Sequence, residues 1–378
     1  MAITVEADID ATLGAVTMGS AVVTFAGSLT ATSFSDTTKV AVGADSTVTI
    51  DGDLMFEGTD AYVVYKVNAG GKFVVTGKLG KAASSTANLN PQESPGTGII
   101  VAGSLVNDGS SGNINAALNN NTTTQKWAIG PGGISGINST NDTYGIWVFS
   151  NDSVNPEFQP YTNDFTVSLW TCLREKAKSL TYNTTGLDGN GYTITLDGGF
   201  SDKKAPLYVT GSGTFVVNHV TKSFGGYNAY SGPVTVKDTA TLAINEGKKL
   251  TSGEITINSG TTLQVAQSGT VTLGGNLTFK GGAALGFNYT TRNAPVLALG
   301  NKTVTFDEGE TTNVVVKISA ADGVRPISGN NTLTSGGKFT DATVSLADGT
   351  PKWVKDISVV DGDIVIDVKP VGLMVIFR

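Results

Sequence analysis

Two carboxylate turns carry the first residues in this chain that could do chemistry. Asp188 sits in Leu187-Asp-Gly-Asn-Gly191 and Asp197 in Leu196-Asp-Gly-Gly199. A glycosidase holds two carboxylates about 5–10 Å apart across a sugar. Neighbouring strands of a repeating fold could supply that spacing, which makes Asp188 and Asp197 the catalytic candidates. Asp-Gly is also ordinary turn chemistry, because Gly supplies the positive φ and Asp bonds nearby backbone. The Gly-His-Gly and Asn-Thr-Asp signatures of pectin-type hydrolases are absent, and the single histidine, His219, falls inside a strand-like run.

A second set of residues suits binding rather than turnover. Trp127, Tyr144, Trp147 and Tyr161, with Phe149, lie in a stretch rich in Asn, Ser and Gly. Aromatic faces stack on the apolar face of a sugar while amides reach its hydroxyls. The same aromatics could instead anchor that stretch to the rest of the protein. Asp51-Gly-Asp53 and Asp361-Gly-Asp363 offer hard oxygens for calcium, or two further turns. One cysteine, Cys172, and one histidine exclude a disulfide within the chain and leave a Cys/His zinc site short of ligands. No metal and no cofactor is expected.

Composition narrows the partners. The chain has 378 residues, a net charge of −7 and only 15% charged residues, against about 25% in a typical domain. No concentrated basic face is visible, so a nucleic-acid partner is not expected. No run of 18 apolar residues exists, so no membrane-spanning helix is predicted. Met1-Ala2-Ile3-Thr4-Val5 lacks the basic and apolar regions of a secretory leader. Glycine contributes 48 residues, well above the usual share of about 7%.

These glycines punctuate short alternating strands. Pro233–Lys237, Asp238–Asn245, Gly253–Asn258, Thr261–Val265, Gly269–Leu273 and Gly275–Phe279 place apolar residues at every second position, with Thr or Asn between. Corners such as Asn258-Ser-Gly260 and Gln267-Ser-Gly269 recur at near-equal intervals. A β-sandwich and a β-solenoid both fit such strands, and repeated corners favour the solenoid. With about 20 residues per rung, the chain would make roughly 15 rungs. The predicted organisation is solenoid rungs over 1–80, an Asn/Ser/Gly-rich insertion or irregular rungs over 81–165, and solenoid again over 166–378. One run has helix-forming composition, Leu173-Arg-Glu-Lys-Ala-Lys178.

Residues 211–244 carry a resemblance. Gly211-Ser-Gly-Thr-Phe-Val-Val-Asn218 is followed by Tyr230-Ser-Gly-Pro-Val-Thr-Val-Lys237 and Thr239-Ala-Thr-Leu-Ala-Ile244. This pattern resembles the autotransporter-associated β-strand repeat, closely for about 35 residues and diffusely to residue 306. The loop Lys222 to Ala229 is longer than usual in that repeat, and Pro233 replaces a more common Thr. The resemblance implies an all-β, right-handed parallel β-helix of passenger type, exported and displayed on a bacterial surface. With the low charge and the lack of a catalytic constellation, it points to a non-enzymatic adhesive or structural role with glycans or surface proteins as partners, and the open edges of parallel rungs add stacking on a neighbouring domain or second copy. The alternative is a carbohydrate-binding or carbohydrate-cleaving β-helix.

Overall fold

The computed structural model describes residues 2–6, 9–10, 16–17, 22–26, 29–31, 39–42, 44–56, 62–67, 69–86, 88–91, 98–109, 114–115, 126–136, 146–150, 157–168, 171–175, 185–197, 200–202, 207–218, 228–229, 231–307 and 313–370. Among them every regular element is a β-strand and none is a helix. Contacts divide the chain into two units, Met1–Phe215 with Thr221–Pro233, and Val216–Val220 with Val234–Arg378.

In the first unit, strands far apart in sequence pair in parallel. One row of partners runs Ala2, Val22, Thr47, Lys72, Ile99, Lys126, Glu157, Gly186 and Tyr208. Each step is one rung. Rungs vary from 20 residues (Ala2 to Val22) to 31 (Lys126 to Glu157), more than the roughly 20 predicted. Along this row the strands keep their register, so most extra residues fall between them. Strict alternation then sends the next row inward. Val48, Phe73, Ile100, Trp127 and Val209 are all buried. Two positions on, so are Ile50, Val75, Ala102 and Ile129. Burying one such large side chain contributes about 1.5–3 kcal/mol.

A further parallel sheet in this unit runs through Val16–Thr17, Lys39–Val42, Tyr62–Val67, Asn88–Pro91, Ile114–Asn115, Ile146–Ser150, Thr171–Glu175 and Phe200–Asp202. Residues 81–165 therefore contribute strands to both sheets. Thr171–Glu175 corrects the expected helix, since it is a strand paired on both sides. Helix propensity differs by less than about 1 kcal/mol per residue here, and two neighbouring strands that bond its backbone outweigh it.

Glycines interrupt the long strands Lys72–Lys81, Ile99–Asn107 and Lys126–Ser135 in mid-course. Register shifts between Val75 and Lys78 and between Ala102 and Ser104. A Cβ on Gly103 would fall 2.1 Å from the Thr76 carbonyl oxygen, and one on Gly130 2.8 Å from that of Gly103.

The second unit repeats the plan with three short strands per rung, as in Glu254–Ile257, Thr262–Val265 and Gly269–Leu273. These match the strands read from the sequence. Val234, Ile255 and Leu277 form one buried row, and Leu242, Leu263, Leu285 and Val316 another. Phe279 and Phe306 stack with centroids 5.9 Å apart, and buried Phe339 closes on both at 6.2 Å. Thr235, Thr256, Thr278 and Thr305 align in one register column between these rows. Gly329–Thr332, Val354–Val360 and Asp363–Val368 form an antiparallel sheet against the last rung, where Leu333 N donates to Ile364 O at 2.8 Å.

Apart from Asn228–Ala229, which pairs antiparallel with Phe200–Asp202, the described pairing in the stacks is parallel, unlike the antiparallel ladders of a sandwich. The chain is all-β with a large parallel sheet, compatible with a β-solenoid. Gly103→Ala is expected to lower the unfolding free energy by about 1–3 kcal/mol, because added atoms collide with backbone that cannot move away. Urea denaturation checks this, and an unchanged midpoint would refute the close approach.

Candidate functional site

The structure disperses the residues that the sequence nominated. Trp127 is fully buried in the row between Ile100 and Phe158. A ring enclosed by core side chains has no face for a sugar, so Trp127 is corrected from ligand contact to core. Tyr161 is 52% exposed at the corner after Glu157–Pro160, with its N–H donating to Ile129 O at 2.8 Å. Trp147 lies in the strand Ile146–Ser150, opposite Asn115 and Cys172. Tyr144 and His219 lie outside the described residues.

Asp188 and Asp197 share a rung instead of facing each other from neighbouring ones. Asp188 ends the strand Thr185–Asp188 and Asp197 follows Tyr192–Leu196. Along the chain a turn and that five-residue strand separate them. The turn between them uses Asn190 and Gly191 at φ 44° and 83°. Other Asp-Gly motifs are turns as well. Asp51 accepts from Thr76 Oγ1 at 2.9 Å and Asp53 from Lys78 N at 2.7 Å, each tying one rung to the next. Asp361-Gly362, both at positive φ, turns Val354–Val360 into Asp363–Val368. Among the described residues no group of three or more His, Cys, Asp or Glu is placed to hold a metal ion.

Two loops of the second unit build a site that the sequence reading missed. A cleft of about 470 Å³ is lined by Thr291, Arg292, Gly323, Val324, Arg325 and Pro326. Its loops leave the same edge of paired strands, Ala284–Tyr289 and Asn313–Ala320. Ser268, buried one rung earlier, fixes the first loop. Its Oγ accepts from Thr290 N at 3.0 Å and Thr291 N at 2.9 Å. Ile327 N donates to Arg292 O at 3.1 Å and joins the loops, while Arg325 Nη2 donates to the carbonyls of Lys369 and Pro370 at 3.3 Å. The chain has only four arginines, and two of them line this cleft. That scarcity was the available signal.

No protein-family model, curated protein or solved structure matches this chain.

A second unusual group lies in the first unit. Lys81 is fully buried, at an inward position of Lys72–Lys81 and opposite buried Asn107. A Cβ on Gly109 would lie 3.0 Å from Lys81 Nζ and 2.7 Å from Ser85 O, so only glycine admits the lysine head at this corner. The Ser85 hydroxyl is enclosed without a hydrogen-bond partner. Burial pushes the Lys81 amine down to about 8. Full enclosure also keeps it from any outside substrate, so its visible consequence is on stability.

Two outcomes follow. Trp127→Ala should cost about 3–5 kcal/mol of stability and leave glycan retention by the folded protein unchanged. Calorimetry with a glycan-retention assay tests both, and lost retention at unchanged stability would return Trp127 to the binding residues. For Lys81, the charged amine is penalised only in the folded state. Below about pH 8 folded and unfolded chains both carry the proton, and the penalty is present in full. Between about pH 8 and the ordinary lysine range the unfolded chain holds more protons, so stability rises with pH. Lys81→Met should stabilise the protein at pH 7 by up to about 3 kcal/mol, and the gain should shrink towards pH 10. Urea titrations of both proteins across pH 7–10 measure it, and a pH-independent difference would contradict the assignment.

Proposed function

We propose that this chain is a right-handed parallel β-helix acting as a non-enzymatic, surface-displayed or secreted module of bacterial passenger type, with an adhesive or structural role. The observation that carries the reading is the row of register-matched inward residues, Val48 to Phe73 to Ile100 to Trp127. Such a stack gains stability rung by rung, which suits a protein exposed outside the cell. The Gly, Thr and Asn texture and the repeat-like segment 211–244 support it further. Carboxylate turns that tie rungs together, as at Asp51 and Asp53, favour structure over hydrolysis. Glycans and surface proteins are the partner classes, and an uncovered rung invites stacking with another domain or copy.

Trypsin under native conditions should leave the stack uncut while digesting the urea-unfolded chain at its lysines. Incubation with a panel of polysaccharides should release no new reducing ends. Rapid native digestion would remove the compact-stack reading, and new ends would make the protein an enzyme.

A further inference from the structure

The cleft of the second unit combines three chemistries in one place. Val324 and Pro326 give it aliphatic surface, and Pro326 is buried. Arg292 and Arg325 are exposed at its lining, and Thr291 adds an exposed hydroxyl. No acidic side chain belongs to the lining, although Asp322 precedes Gly323 and is exposed. This cationic spot stands out in a chain of net charge −7.

A guanidinium offers planar paired donors that match a carboxylate, whereas a neutral sugar gives it nothing to neutralise. The aliphatic surface suits the C–H face of a sugar ring. The loops are already held by Ser268 and by the Ile327–Arg292 backbone bond, so little ordering remains to oppose binding.

We propose that the cleft formed by Thr291, Arg292, Val324, Arg325 and Pro326 binds a carboxylate-bearing sugar, a uronic acid residue of an acidic polysaccharide. The sugar's carboxylate pairs with Arg292 and Arg325, its ring lies over Val324, and Thr291 bonds a hydroxyl. The proposal rests on the surface-module reading only for where such a polysaccharide is met.

Binding is measured by calorimetry on the full chain with polygalacturonate, with neutral dextran, and with dextran sulfate, which carries anionic charge without carboxylates. Polygalacturonate should bind, more weakly as salt rises, while neutral dextran stays silent and dextran sulfate binds at least about tenfold more weakly. Arg292→Ala should lower polygalacturonate affinity by about tenfold or more with an unchanged melting temperature, and Arg292→Lys should recover only part of it. Arg325 also holds backbone carbonyls, so Arg325→Ala is read only if its melting temperature is unchanged. No binding of polygalacturonate, equal binding of dextran sulfate, or full affinity in Arg292→Ala would overturn the site. Native trypsin resistance and absence of turnover would survive that failure, so the surface-module reading is judged separately.

Discussion

Each rung of this protein depends on backbone groups supplied by a strand 20 to 37 residues away. A parallel strand cannot satisfy its own N–H and C=O groups, and in a buried stack water cannot replace the missing partners. Register is therefore held along the row from Ala2 to Tyr208 even where rung length varies, and it shifts where glycines interrupt the long strands. With register held, side-chain parity follows, and every inward position falls on another inward position. Phe73 over Ile100 over Trp127 is one product of that rule. Lys81 beside Asn107 is another, since a lysine caught at inward parity must be accommodated rather than turned out to water.

The constraint also separates where structure and ligand contacts can reside. Faces are committed to pairing and packing, so variation gathers between the strands. Some corners are consumed by the stack itself. The carboxylates of Asp51 and Asp53 bind the next rung, and Asp363 accepts from Gly337 N at 2.9 Å. The corner after Ala284–Tyr289 differs, because paired loops there leave a cleft between them and present two guanidiniums instead of closing on themselves.

Much of the local structure was legible in the sequence. Alternation of Val, Ile and Leu with Thr placed the strands of 234–279 within a residue or two of their observed limits. Pairing was less legible, because rung length varies and no fixed period announces which strands meet. The Thr235–Thr256–Thr278–Thr305 column is invisible for that reason. Trp127 was misread from its polar neighbours, although its spacing from Ile129 already gave it inward parity. Composition suggested a helix at Leu173, where pairing on both sides decided for a strand. Arg292 and Arg325 are 33 positions apart, and only the alignment of successive rungs brings their loops together.

The antiparallel sheet of Gly329–Thr332, Val354–Val360 and Asp363–Val368 sets a different pairing beside the parallel rungs of the second unit. In-register parallel strands about 4.8 Å apart have the spacing of a cross-β fibril, which can grow indefinitely by adding chains to its open edge. Here the strands of this sheet pair antiparallel with one another, and its Asp361-Gly362 turn folds the chain back on itself. An antiparallel sheet in that place presents a hydrogen-bond pattern different from the in-register parallel ladder on which such a fibril grows.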